Sequence, residues 1–141
     1  MTLLDPSAVL LVEDDIAARE ILASMLAMRF PQMAFHLAEN GKAGLDCFKE
    51  HLPALVITDV NMPIMNGIRL AREIKEVAAG VKVIVLTAFS DKTILESSEP
   101  FGISHYLLKP VDYRKLLAAI EQCLGETVAQ SCPCAPVGGM P

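Results

Sequence analysis

The sequence predicts an α/β fold in which five parallel strands form a doubly wound sheet, with helices on both faces as a three-layer sandwich. Short apolar runs alternate with amphipathic stretches along most of the 141 residues, and this alternation is typical of βα units. No two-residue turn signal joins neighbouring runs, so antiparallel hairpins are not expected. An aliphatic interior is predicted, because 52% of the residues are hydrophobic but only 5% are aromatic.

The first part of the chain contains two predicted strands, at residues 9–12 and 34–38. Apolar residues recur at helical spacing between them, which predicts a helix over about residues 15–28. Asn40 is a suitable N-cap for a second helix, because its side chain can accept a hydrogen bond from a free backbone N–H. We expect that helix to stop before Pro53.

The middle of the chain continues the pattern with strands at residues 55–58 and 83–86. The earlier of the two is hydrophobic without interruption, so we expect helices to cover both of its faces. Apolar residues at helical spacing between these strands predict a third helix. It begins at Gly67 and is predicted to end at Gly80, because glycine commonly closes helices.

The last predicted elements are a helix, a strand and a helix. Pro100 limits the length of the fourth helix, because the residue before a proline disfavours helical dihedral angles. Residues 106–108 form the predicted fifth strand. Asp112 then caps the last helix, which is predicted to end at Gly125.

The predicted topology brings acidic side chains from two strands together. In a doubly wound sheet with the flavodoxin-like order 2-1-3-4-5, strands one and three are neighbours at the switch point. Glu13 and Asp14 follow strand one and Asp59 follows strand three, so their carboxylates are expected to meet. Carboxylates this close repel one another, which raises a pKa or favours a divalent cation. Oxygen ligands with room for water favour Mg²⁺.

Composition and charge exclude several classes of protein. One domain is predicted over residues 1–125, and the Pro, Gly and Cys content of residues 126–141 predicts a flexible tail or the start of a linker. A net charge of -5 without a basic cluster argues against direct nucleic-acid binding by this domain. The apolar stretches are too short for a signal peptide or a membrane span, so we expect a cytoplasmic location.

The polar residues at the strand ends, taken together, resemble the receiver domain of bacterial two-component response regulators over about residues 8–124. They are an acidic pair after strand one, an aspartate with its following loop after strand three, a Thr-Ala pair after strand four, and a tyrosine and a Lys-Pro pair around strand five: Glu13, Asp14, Asp59, Met62, Pro63, Gly67, Thr87, Ala88, Tyr106, Lys109 and Pro110. Each residue type is common alone, but the whole set in this order is typical of that family.

The resemblance implies that the domain accepts a phosphoryl group. Asp59 would attack the phosphohistidine of a sensor histidine kinase or a phosphotransfer protein, giving an aspartyl phosphate. Asp14, Asp59 and the backbone carbonyl of Asn61 would hold Mg²⁺, with Glu13 acting partly through water. The chain would then be a regulatory phosphoacceptor domain and not an enzyme.

The resemblance also implies a switch. Lys109, in a candidate cis peptide with Pro110, and Thr87 would bind the phosphoryl oxygens. As Thr87 moves toward them, Tyr106 would turn inward into the space behind the strand end. This would alter the face made by the predicted fourth helix, the fifth strand and the last helix (the α4-β5-α5 face of receivers), through which a homodimer or an effector would bind.

Two other functions remain open from the sequence. A phosphatase of the haloacid dehalogenase type also uses an aspartate after a strand, but it requires a second aspartate two residues later, where this chain has Asn61. A phosphorylation-independent interaction module usually lacks an acid or the lysine of the site, and this chain keeps both.

The remaining cysteines and histidines are expected to have structural roles. Cys47 lies in a helical pattern and is expected to be a core or part-buried thiol. Cys132 and Cys134 form a Cys-Pro-Cys, but no second pair of ligands is present to complete a zinc site. The histidines, His36 and His51 among them, have no Cys, Asp or Glu partner at ligand spacing, so no ligand role is expected for them.

Overall fold

The computed structural model of the protein describes residues 3–88 and 103–131, with residues 126–131 described by their backbone alone. The strands and helices follow in chain order: β1 (Asp5–Val12), α1 (Ile16–Arg29), β2 (Ala34–Ala38), α2 (Gly41–His51), β3 (Pro53–Asp59), α3 (Gly67–Val77), β4 (Lys82–Thr87), β5 (His105–Leu108) and α4 (Tyr113–Ser131). The helix predicted after the fourth strand, with Pro100, lies outside the described residues.

The five strands form one parallel sheet in the order β2-β1-β3-β4-β5. This confirms the predicted doubly wound topology, in which strands one and three are neighbours. Every residue of β3 is buried, as expected for a central strand that helices cover on both faces.

Two apolar clusters lie on opposite faces of the sheet. Leu10 belongs to the cluster that α2 and α3 cover, whereas its neighbour Leu11 belongs to the cluster that α1 and α4 cover. Successive side chains of a strand point to opposite faces, so a continuous apolar run serves both clusters. The three-layer arrangement follows from this pattern.

Side chains cap three of the helices. The Oδ1 of Asn40 accepts a hydrogen bond from the N–H of Ala43 at 2.8 Å, which confirms the predicted cap of α2. The Oδ1 of Asn66 accepts from the N–H of Arg69 at 2.8 Å in the same way at α3. At α4, the carboxylate of Asp112 accepts from the N–H of Arg114 at 2.9 Å.

Two helix ends differ from the predictions. Helix α3 ends at Val77 and not at Gly80, because the next residues must turn into β4, which begins at Lys82. Helix α4 continues past Gly125 to Ser131. A single glycine costs a helix about 1 kcal/mol relative to alanine, which weakens a helix without ending it.

In the described ranges, 3–88 and 103–131, no helix combines the length and the apolar character needed to cross a membrane.

Candidate functional site

The acidic residues lie together at the carboxyl ends of β1 and β3. Val12 pairs with Thr58 in the sheet, so the residues that follow each of them, Glu13 and Asp59, lie side by side. One oxygen from each of Glu13, Asp14 and Asp59 lies within 4.8 Å of the others. Glu13 and Asp59 are buried, at 3% and 4% exposure, while Asp14 is exposed. The cluster is therefore open to solvent on the Asp14 side.

Lys109 supplies a positive charge to this cluster. Its Nζ lies 2.7 Å from Oδ2 of Asp59 and 3.5 Å from Oε1 of Glu13. Its backbone N–H donates to the carbonyl of Thr87 at 2.7 Å, which holds it beside the end of β4. The peptide bond between Lys109 and Pro110 is cis, as the resemblance predicted.

The electrostatics of the site reflect burial and mutual repulsion. Burial, with the charge of Asp59, raises the pKa of Glu13, although the N–H of Asp15, which donates to its carboxylate, and the charge of Lys109 act against this. Burial alone would lower the pKa of Lys109, but its hydrogen bond to Asp59 and the charges of Asp59 and Glu13 raise it overall. Lys109 therefore stays charged and forms ion pairs with Asp59 and Glu13, two of the three acids of the cluster.

Backbone contacts fix the loop that follows Asp59. The N–H of Val60 donates to the carbonyl of Leu86 at 3.1 Å, and the N–H of Gly67 donates to the carbonyl of Val60 at 2.8 Å. A Cβ on Gly67 would lie 2.0 Å from the backbone oxygen of Asp59. Only glycine allows so close an approach, so Gly67 sets the position of Asp59 as well as the start of α3.

Arg19 also supports the site, and no sequence signal pointed to it. Its Nη1 donates to the backbone carbonyl of Glu13 at 2.8 Å, which joins the loop after β1 to the first turns of α1. The spacing of six residues places Arg19 within reach only because α1 begins directly after the loop.

The other predicted site residues lie on the same edge of the sheet or next to it. Thr87 is 1% exposed, and its hydroxyl donates to the carbonyl of Ala88 at 3.1 Å. Thr87 pairs with Leu108, the residue before Lys109, at the end of β4, the strand between β3 and β5. Tyr106 pairs with Val85, two positions further from this edge than the Thr87–Leu108 pair, and is 37% exposed. Asn61 is exposed, two residues after Asp59.

A second group of ligand-type side chains lies on the β2 side of the sheet. A ring nitrogen of His36, the Sγ of Cys47 and a ring nitrogen of His51 all lie within 4.8 Å of one another. The expectation that these histidines have no cysteine partner is therefore wrong. His36 precedes Cys47 by eleven residues, and Cys47 precedes His51 by four. The packing of α2 over β2 brings all three together, and their spacing along the chain did not suggest a shared site.

Comparisons with known proteins agree with this geometry. The family model for the response regulator receiver domain matches residues 9–121. The chain is 34% identical to the chemotaxis protein CheY of Halobacterium salinarum over 116 residues, which cover 82% of this chain and 95% of that protein. It is 34% identical to the transcriptional regulatory protein ZraR of Escherichia coli over 119 residues, which cover 84% of this chain and 26% of that protein.

A solved structure shows the same fold. The N-terminal domain of an uncharacterized protein from Wolinella succinogenes matches with a TM-score of 0.80 at 32% identity, over 87% of this chain and 98% of that chain. This chain spans between a quarter and about half of the length of several curated transcriptional regulators that it matches.

Proposed function

Because the chain belongs to the response regulator receiver domain family of two-component systems, we propose that Asp59 is its phosphoacceptor and that Mg²⁺ assists the transfer. The family is one of signalling domains and not of enzymes. One observation carries the proposal: the carboxylate of Asp59 is buried, lies 2.7 Å from Nζ of Lys109 and is grouped with two further acids.

In the proposed reaction, a carboxylate oxygen of Asp59 bonds to the phosphorus of a phosphohistidine while the P–N bond to the donor imidazole breaks. The imidazole leaves with the electron pair of that bond and takes a proton from solvent. Phosphoryl transfer depends mostly on positioning and charge compensation. Lys109 provides positioning and charge compensation, because its ammonium already contacts Asp59. After the transfer, the same ammonium can bind a phosphoryl oxygen.

Mg²⁺ fits the donor set of the site. Carboxylate oxygens are the ligands that Mg²⁺ takes in phosphoryl-transfer sites, where it usually keeps several waters. We assign Asp14, Asp59 and the carbonyl of Asn61 as ligands, with Glu13 acting partly through water. The exposure of Asp14 leaves room for those waters. The bound cation would offset the repulsion among the acids and the incoming phosphoryl group.

The proposed partners follow from the family. Receiver domains interact with kinases or phosphotransfer proteins and with effector domains, so the donor proposed here is a sensor histidine kinase or a phosphotransfer protein in the cytoplasm. We further propose that phosphorylation draws Thr87 toward the phosphoryl group and that Tyr106 turns inward. The face of the predicted fourth helix, β5 and α4 would then change its affinity for a second copy or an effector.

The test of the phosphoacceptor is labelling with a small phosphodonor, with and without a chelator, followed by intact mass. The wild type is expected to gain one phosphoryl group in a Mg²⁺-dependent manner, and Asp59→Asn is expected to gain none. Asp46→Asn, an exposed carboxylate on α2, is the matched control and should be labelled like the wild type. Equal labelling of the wild type and Asp59→Asn would contradict the assignment.

A further inference from the structure

The strongest feature outside the acidic site is the group of His36, Cys47 and His51. His36 lies on β2, the edge strand of the sheet, and pairs with Leu10, whose side chain belongs to the cluster under α2 and α3. Paired residues of parallel strands point to the same face. His36 therefore lies beneath α2, where Cys47 and His51 are one turn apart and share a helix face.

These three side chains form a donor set suited to a transition metal. Two imidazole nitrogens and one thiolate sulphur match the ligands of Zn²⁺, at bond lengths of about 2.0 to 2.3 Å. All three ligand atoms already lie within 4.8 Å of one another. Tetrahedral coordination at those bond lengths separates the ligand atoms by about 3.3 to 3.7 Å, so each pair of ligand atoms has to approach by at most about 1.5 Å.

The present ring arrangement shows what would have to move. The rings of His36 and His51 are stacked, with centroids 3.9 Å apart and planes 12° apart. A metal binds in the plane of an imidazole ring, along the nitrogen lone pair, so two stacked rings must tilt apart to share one ion. His51 can do this, because it is exposed on the last turn of α2, whereas His36 and Cys47 are half-buried.

The surroundings favour a cation. The carboxylates of Asp5 and Glu50 act electrostatically on His36, and Oε2 of Glu50 lies 3.9 Å from Nε2 of His51. Burial, with the neighbouring His51, lowers the pKa of His36, whereas burial, with the charge of Glu50, raises the pKa of the Cys47 thiol. Metal binding must therefore displace the proton of that thiol. An open fourth position can be filled by water or by Glu50.

We propose that His36, Cys47 and His51 form a site for a divalent transition-metal ion of the Zn²⁺ class. On binding, the Sγ–H of Cys47 gives its proton to solvent and the sulphur bonds to the metal as a thiolate. The ion joins the edge strand β2 to α2. The site goes beyond the proposed phosphoacceptor function and involves none of its residues.

The test is anaerobic titration of the full chain with Co²⁺, which reports thiolate ligation by a charge-transfer absorption, followed by displacement with Zn²⁺. Cys132→Ser and Cys134→Ser are combined in the starting protein, so that Cys47 and the buried Cys123 are its only thiols. One equivalent of Co²⁺ should produce the band. An excess of Mg²⁺, or the Asp59→Asn change, should leave it unaltered.

Variants then identify the ligands. Cys47→Ser should abolish the band, and His51→Ala should weaken Zn²⁺ binding at least about 10-fold, because removing a direct ligand costs no less than removing an outer one. His105→Ala, on the opposite edge strand β5, should bind like the starting protein. Zn²⁺ should raise the melting temperature of the starting protein by a few degrees and leave that of His51→Ala unchanged.

Because His51 is exposed, His51→Ala tests the site even if Cys47→Ser has a folding defect. Circular dichroism checks that both variants are folded. No thiolate band in the starting protein would overturn the proposal. So would a band that survives both Cys47→Ser and His51→Ala, or one that His105→Ala removes equally.

Discussion

Asp59 is a nucleophile only as a carboxylate, yet the residue is only 4% exposed. A buried charge without a partner is costly, and the ammonium of Lys109 at 2.7 Å offsets that cost. The side chain of Lys109 is 34% exposed, so water screens the pair. The cost of removing Asp59 from water offsets much of the remaining attraction, so the ion pair serves to position Lys109 more than to stabilise the fold.

Glu13→Gln is expected to stabilise the metal-free protein at neutral pH. Burial and the charge of Asp59 raise the pKa of Glu13 above its ordinary 4.5, so the folded state binds this proton more tightly than the unfolded state does. The stability from Glu13 is complete below the unfolded pKa and is lost as pH rises through the folded pKa. Glutamine keeps an oxygen for the N–H of Asp15 and removes the charge.

The measurement is urea unfolding in the presence of a chelator, at pH 7 and at pH 4. Glu13→Gln is expected to increase the free energy of unfolding at pH 7, and this gain should shrink toward pH 4. Glu20→Gln, an exposed acid on α1, should have little effect at either pH. A gain from Glu13→Gln that is larger at pH 4 than at pH 7 would contradict the stated cause.

At the scale of elements, strand positions were predictable because hydrophobicity and burial coincide in a central parallel strand. Every predicted strand lies within an observed one, and β2 has the predicted bounds. Helix ends were less predictable where glycine was the signal. Gly80 and Gly125 both have open space where a Cβ would be, so neither is required by packing. Their sequence positions therefore say little about where a helix ends.

Gly67 differs from these two glycines, and Gly67→Ala is expected to disturb the site. Its Cβ would lie 2.0 Å from the backbone oxygen of Asp59, so the backbone of β3 or of α3 must shift. Such overpacking typically costs about 1 to 3 kcal/mol, and the shift should also weaken Mg²⁺ binding by moving the carboxylate of Asp59.

The matched control is Gly80→Ala, where no atom lies within 4 Å of the added Cβ. That change should be neutral or should stabilise the protein by up to about 1 kcal/mol. Urea unfolding and Mg²⁺ titration of both variants check the pair. If Gly67→Ala matched Gly80→Ala in stability and in Mg²⁺ affinity, the close approach would have no role in holding Asp59.

At the scale of the whole molecule, the sequence predicted the acidic site because topology alone brings the ends of β1 and β3 together. Glu13, Asp14 and Asp59 needed only the strand order to be placed side by side. The group of His36, Cys47 and His51 depends instead on the way α2 lies across β2, which no local pattern encodes. The sequence could place a site at adjoining strand ends but not one between a strand and the helix that covers it.

A phosphoryl group at Asp59 is expected to affect the edge of the sheet formed by β5. It adds nearly two negative charges and three acceptor oxygens beside Lys109 and the hydroxyl of Thr87. That hydroxyl donates to the carbonyl of Ala88 at 3.1 Å, and a charged oxygen is a stronger acceptor. Thr87 should therefore turn toward the site, and Tyr106, which is 37% exposed, should turn inward behind it.

Amide spectra with and without beryllofluoride test this coupling in the wild type, Thr87→Ala and Tyr106→Ala. In the wild type, changes should extend from the loop after β3 to residues 91–98 and to residues 113–117 at the start of α4. Both variants should still bind beryllofluoride at Asp59. Both should lose the distant changes, because one lacks the hydroxyl of Thr87 and the other lacks the ring of Tyr106. If the wild-type changes stay confined to the loops around Asp59, the proposed switch is wrong. The assignment of Asp59 as phosphoacceptor would still hold, because charge compensation at Asp59 requires Lys109 and Mg²⁺ but no movement of Tyr106.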